Sequence, residues 1–326
     1  MLHTRHILNI GDLDKADFDY ILSVANNIAE DLSRYGEVAK GKILATLFFE
    51  PSTRTRLSFE SAMLRMGGQV LGFSEAGTSS AAKGESPEDT AQTVGSYCDI
   101  MVVRHPTAMV PHRMAEVAKV PVINAGDGSN EHPTQTLTDL VTVYRKFGRL
   151  QSLNIGLCGD LKHGRTVHSL IKALCRYPGN RFTLIAPDAL QMPQDILDTL
   201  RRENADFTQT AGLESAIGEL DILYMTRIQR ERFQNPTEYR RLKGVYVLDK
   251  EKLRRAKQDM IILHPLPRVD EIPTGIDADP RAWYFKQAEY GVYARMALII
   301  KLLGLQDLTA DGLLSVHTCG PRDIAI

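Results

Sequence analysis

The chain has 326 residues, 43% of them hydrophobic and 24% charged, enough for two domains with their own cores and ordinary for a soluble globular protein. Its 39 Lys+Arg against 40 Asp+Glu leave a net charge of -1, so no global field recruits nucleic acid or an anionic membrane, and any anion site must be local. Cys98, Cys158, Cys175 and Cys319 lack metal-ligand spacing and suit a reducing compartment; Met1 to Gly11 holds no apolar signal core and no run reaches membrane-spanning length, so a cytoplasmic protein is expected.

Phe18, Ile21, Leu22, Ala25, Ile28, Ala29 and Leu32 recur at spacings of three and four, which predicts an amphipathic helix over Asp14 to Arg34. The apolar run Ile43 to Phe49 reads as a buried strand, and Phe59, Met63 and Met66 predict a helix over 53–66 that stops at Gly67-Gly68. Between them stands Glu50-Pro51-Ser52-Thr53-Arg54-Thr55-Arg56. A lone serine there would be a plain cap. Several hydroxyls and an arginine at one helix N-terminus say more, because its unpaired N–H groups and dipole suit an anion and Arg54 adds a fork matched to phosphate. The stretch reads as a phosphate site.

Gln69 to Phe73 is a short strand, followed by a Gly-, Ser- and Ala-rich surface loop, Ser74 to Glu85, that carries Ser79, Ser80 and Lys83. Ser86-Pro87-Glu88 opens a helix to Tyr97, with proline at its favoured first position. A strand over Ile100 to Val103 delivers Arg104 and His105 at its C-terminal end, where open parallel sheets hold ligand contacts. A helix over Met109 to Lys119 and a strand over Pro121 to Asn124 lead to a Gly-rich turn ending in His132-Pro133-Thr134-Gln135, which opens a helix to Phe147.

Strands at 153–158, 181–186, 206–209 and 221–224 then alternate with helices at 166–175, 193–203 and 213–218. The order predicts an α/β fold of two doubly wound parallel-sheet domains with right-handed crossovers, bridged by helix 134–147. Gly156-Leu157-Cys158-Gly159-Asp160 hints at a dinucleotide site and a nicotinamide enzyme, but it lacks the full G-x-G-x-x-G spacing and an acidic ribose partner. Arg165 instead opens a helix at the sheet edge, suited to a carboxylate, and the loop Thr226-Arg227-Ile228-Gln229 offers a second guanidinium. The last strand, Met260 to Leu263, ends in His264-Pro265-Leu266-Pro267-Arg268, whose prolines fix the Leu266 backbone and admit a cis X-Pro bond. Tyr290, Tyr293, Ala297, Ile300 and Leu303 predict a final long helical stretch over Asp279 to Leu305, stopped near Gly304, and 306–326 reads as a tail.

Glu50-Pro51-Ser52-Thr53-Arg54-Thr55-Arg56, with His132-Pro133-Thr134-Gln135, Thr226-Arg227-Ile228-Gln229 and His264-Pro265-Leu266-Pro267 in order, resembles the aspartate and ornithine carbamoyltransferase family. The resemblance implies transfer of the carbamoyl group of carbamoyl phosphate to the amine of L-aspartate, the committed step of de novo pyrimidine biosynthesis, with no metal or organic cofactor. It implies that Ser52, Thr53, Arg54, Thr55, Ser79, Lys83 and Arg104 hold the phosphate. By the same resemblance His132, Thr55 and Arg104 polarise the carbamoyl carbonyl, and Gln135 and the Leu266 carbonyl take the NH2. Lys83, Arg165, Arg227, Gln229, Leu266 and Pro267 are implied for aspartate. Lys83 would reach in from a neighbour, giving a homotrimer with shared sites, to which separate regulatory chains could bind. The implied domains are 1–133, completed by 289–305, for carbamoyl phosphate, and 134–288 for aspartate. Lys83, the Arg227–Gln229 pattern and Pro265 favour aspartate over ornithine as acceptor. His163, where relatives often carry Tyr, and Asn235, an added loop residue, depart from the pattern.

Overall fold

The computed structural model describes residues 6–305 except 79, 129, 229–232 and 234. Helix α1 (Lys15–Glu30) begins on a capping box, Asp14 accepting from Asp17 N while Asp17 answers the Asp14 backbone. It stops short of the predicted Arg34 because Asp31 leaves helical geometry and caps a separate 3-10 turn, Leu32–Tyr35.

Strands β1 (Ile43–Phe48), β2 (Gln69–Phe73), β3 (Ile100–His105) and β4 (Val122–Asp127) form a parallel sheet in the order β2-β1-β3-β4. Their crossovers are α2 (Thr53–Arg65), α3 (Pro87–Val94) and α4 (Val110–Val117). Helix α3 ends before the expected Tyr97. Helix α4 is shorter than 109–119 because Met109 sits at φ 66° and Ala118 turns extended. Strand β4 outruns the expected Asn124, since pairing continues through His105 and Asp127 and Asn124 Nδ2 bonds Asp127 Oδ1 at 2.9 Å.

Helix α5 (Pro133–Phe147), buried on most of its surface, leads to a second parallel sheet. It holds β5 (Asn154–Cys158), β6 (Arg181–Ile185), β7 (Asp206–Thr210), β8 (Ile222–Met225) and β9 (Ile261–Leu263) in the order β7-β6-β5-β8-β9. Helices α6 (Arg165–Leu174), α7 (Gln194–Arg202), α8 (Leu213–Ala216), α9 (Pro236–Leu242) and α10 (Lys250–Leu253) fill the connections. Helix α11 (Tyr284–Leu303) starts later than Asp279, because Ala282 is still held in a bridge to Ile262. It packs on α5, α1 and α2. Ile21, Phe59, Leu140, Leu170, Leu184 and Leu298 belong to one buried apolar cluster that reaches from the first sheet to the second.

The strand orders decide where a ligand can sit. Chain direction across each sheet reverses between β1 and β3 and between β5 and β8. Such switch points open a crevice beyond the strand C-termini, lined by the loops that leave in opposite directions.

Candidate active site

Both switch points feed one cleft of about 670 Å3. Ser52, Thr53, Arg54 and Thr55 follow β1 and Arg104 ends β3; Arg165 follows β5 and Arg227 follows β8; His132 and Gln135 open α5; Leu266 and Pro267 follow β9. All of these line it. Lys83 is exposed and does not line the cleft of its own chain. Ser79 and Gln229 lie outside the described residues, as do Glu231, Arg232 and the tail from 306.

Ser52 stands at the N-cap of α2, yet its hydroxyl makes no capping bond, so the first-turn N–H groups keep the ligand-facing role that a plain cap would have closed. Arg104 is only 12% exposed; its Nη1 donates to Ala125 O at 3.2 Å and its Nη2 meets Glu50 Oε2 at 3.4 Å. Its buried Nε has no hydrogen-bond partner among the described residues, a cost to the folded chain. Burial lowers the pKa of Arg104 against the pull of Glu50, and lost hydration, then Arg104 itself, lowers that of Arg54. Two guanidiniums drawn together in this way, with Glu50 offsetting only Arg104, favour a bound anion.

His132 is buried, and burial first, then Arg165, Arg104 and Arg295, hold its pKa well below the ordinary value of 6.5. The imidazole is therefore neutral near pH 7 and keeps one N–H to donate. Gln135 donates through Nε2 to Asp139 Oδ1 at 2.8 Å. Arg165 Nη1 bonds the carbonyl of Gly128, tying the second sheet's helix to the loop after β4. In the same direction, Ser169 Oγ and Lys172 Nζ donate to the Glu131 carboxylate at 2.7 and 2.9 Å.

The loop after β9 is built rather than free. Leu266 has φ 54°, a left-handed conformation costly for a bulky residue, and Leu266–Pro267 is cis. Leu266 N donates to His264 Nδ1 at 2.8 Å, which puts the ring proton on Nε2, facing Glu271 Oε1 at 2.8 Å.

Sequence reasoning missed part of the wall. Thr138, Gln287 and Arg295 also line the cleft. Arg295 is 4% exposed and donates to Thr138 Oγ1 and Gly291 O at 3.1 and 2.8 Å; burial lowers its pKa to about 10, with Asp139 opposing. Both α11 residues sit in a stretch whose apolar spacing reads as core. The available signal is an arginine between Ala294 and Met296, which a purely packing helix would not carry. Of the departures noted above, His163 lines the cleft with its ring 6.4 Å from that of Phe233, and Asn235 caps α9 by accepting from Thr237 N at 2.9 Å.

Fold and site together define a two-sheet α/β protein with a guanidinium-rich, anion-binding cleft. Residues 5–145 match the family model for the aspartate/ornithine carbamoyltransferase carbamoyl-P binding domain, and 151–302 match the Asp/Orn binding domain of the same family. The chain belongs to the aspartate/ornithine carbamoyltransferase family. It is 56% identical over 306 residues to the aspartate carbamoyltransferase catalytic subunit of Clostridium kluyveri, covering 94% of this chain and 100% of that one. The catalytic subunit of M. jannaschii aspartate transcarbamoylase superposes with a TM-score of 0.87 at 44% identity, over 93% of this chain and 99% of that one. Aspartate transcarbamoylase from Trypanosoma cruzi, solved with N-(phosphonacetyl)-L-aspartic acid, gives 0.86 at 40% identity, over 91% and 95%.

Proposed function

We propose that this chain transfers the carbamoyl group of carbamoyl phosphate to the amine of L-aspartate. One observation carries the reading: a single cleft is lined by a helix N-terminus with Arg54 and Arg104 from the loops of the first sheet and by Arg165 and Arg227 from those of the second. A phosphate on the first set and two carboxylates on the second hold the amine nitrogen against the carbamoyl carbon, a proximity effect.

In the step itself the C–N bond forms as the bond from carbon to the phosphate oxygen breaks. Phosphate leaves with the electron pair, and the amine proton passes to it. Neutral His132, Thr55 and Arg104 stabilise the negative charge that grows on the carbonyl oxygen, where one such donor is typically worth about 3 kcal/mol. Gln135 Oε1 and the Leu266 carbonyl accept from the carbamoyl NH2, so a substrate lacking that NH2 is poorly held. Lys83, exposed on its own chain, serves the site of a neighbouring copy together with Ser79, and the chain acts as a homotrimer. Gln229 assists at the aspartate carboxylates. Residues 1–133 with 289–305 form the carbamoyl-phosphate domain and 134–288 the aspartate domain. No helix among the described residues is long and apolar enough to cross a membrane. Action in the cytoplasm completes the reading, which leaves room for separate regulatory chains.

The bisubstrate analogue N-phosphonacetyl-L-aspartate spans both halves of the cleft. It is expected to compete with carbamoyl phosphate, and Arg54→Ala and Arg165→Ala are each expected to weaken it roughly 10- to 100-fold, the loss of a charge-assisted contact. An analogue that competes with neither substrate contradicts the reading.

A further inference from the structure

Beneath the cleft, and not lining it, lies Asp139, fully buried one helical turn after Gln135 on α5. Three donors from three elements reach its carboxylate. Gln135 Nε2 (2.8 Å) and Gln287 Nε2 of α11 (2.6 Å) meet Oδ1, and the Tyr224 hydroxyl at the end of β8 (3.0 Å) meets Oδ2.

The orientation of these amides follows from an unambiguous donor. The backbone N–H of His264 can only donate, and it does so to Gln287 Oε1 at 2.9 Å. That bond turns Gln287 Nε2 toward Asp139, which needs Oδ1 as an acceptor. An acceptor at Oδ1 in turn requires Gln135 to present Nε2 to it, leaving Gln135 Oε1 on the cleft side. Burial pushes the Asp139 carboxyl up to about 7, against the pull of all three donors. A proton on Oδ2, facing Tyr224, still leaves Oδ1 accepting, so the orientation does not depend on the charge state.

We infer that Asp139 is a positioning residue that sets the preference of this cleft for a carbamoyl over an acyl phosphate, by holding Gln135 with its carbonyl oxygen toward the substrate NH2. The inference rests on the function proposed above. The same relay runs through Gln287 to the His264 backbone, two residues before Leu266, so one carboxylate aligns both acceptors of that NH2.

The probe is acetyl phosphate, which carries a methyl in place of the NH2 and is blind to Gln135. Competition experiments on the full chain give affinities for carbamoyl phosphate, acetyl phosphate and inorganic phosphate. In the unsubstituted protein, carbamoyl phosphate binds better than acetyl phosphate; absence of that preference would overturn the proposed function rather than the role of Asp139. Asp139→Leu is expected to reduce the preference about tenfold, the worth of one hydrogen bond, with acetyl phosphate and inorganic phosphate affinities unchanged. Asp139→Asn is expected to retain the preference, because an amide can place its oxygen at Oδ1 and its NH2 toward the Tyr224 hydroxyl. A preference that survives Asp139→Leu, or a fall shared equally by all three ligands, overturns the inference. Should Asp139→Leu fail to fold, Asp139→Asn still decides: loss of the preference in that folded, isosteric variant contradicts the amide geometry.

Discussion

Gly126 lies on β4 at φ 116°, directly behind the cleft. A methyl added there would stand 2.9 Å from Arg104 Nη1, 3.1 Å from Arg165 Nη2 and 3.4 Å from His132 Cδ2. Gly126→Ala therefore combines two effects that separate in measurement. The backbone conformation costs an alanine about 1–3 kcal/mol, which urea unfolding reads. Both guanidiniums must also retreat by several tenths of an ångström to regain ordinary contact distance. A displacement of about 1 Å can cost on the order of 100-fold in rate, so a shift of this size should lower kcat/KM roughly tenfold. Initial rates across carbamoyl phosphate and aspartate concentrations, taken where both proteins are fully folded, isolate the second effect. A destabilised Gly126→Ala with unchanged kcat/KM would refute the reasoning, since the three side chains that meet at Gly126 would then not be the working set.

Because His132 is held neutral below the ordinary histidine range, the unfolded chain takes up its proton first as pH falls; stability should drop below about pH 6.5, and less steeply in His132→Gln. Equal slopes in the two proteins would contradict the burial argument. Glu131 joins the loop after β4 to Ser169 and Lys172 of α6. Glu131→Ala should cost about 1–3 kcal/mol in unfolding free energy, discounted because Lys172 is partly exposed; a loss below the error of the measurement would make the link incidental. If Lys83 works in a neighbour's site, Lys83→Ala and Arg54→Ala chains, each nearly inactive alone, should regain activity when dissociated and mixed. No regain after mixing would remove the shared site.

Much of this architecture was legible because two signals agreed. Apolar runs with sharp stops marked the strands, and helical spacing after Ser52 marked α2, so Arg54 could be assigned to a junction before its neighbours were known. What local pattern could not supply was the order of strands, which depends on crossovers and sets the two switch points facing each other. Element ends were lost where one residue departs from its neighbours, as with Asp31 after α1 and left-handed Met109 before α4. Gly126 looked like a turn and proved part of a strand, because glycine is what lets Arg104 and Arg165 approach its backbone. Arg295 and Gln287 were hidden by their helix, whose apolar spacing describes its packing face and says nothing of the polar side chains pointing to the cleft. Asp139 was invisible for the same reason, on α5.

The most direct test of the central claim offers the purified chain carbamoyl phosphate with aspartate and with ornithine in separate reactions, following both phosphate release and the carbamoylated product. N-carbamoyl-L-aspartate is expected to form in step with phosphate, with no comparable turnover of ornithine. Ornithine as the preferred amine, or phosphate release without a carbamoylated amino acid, would contradict it.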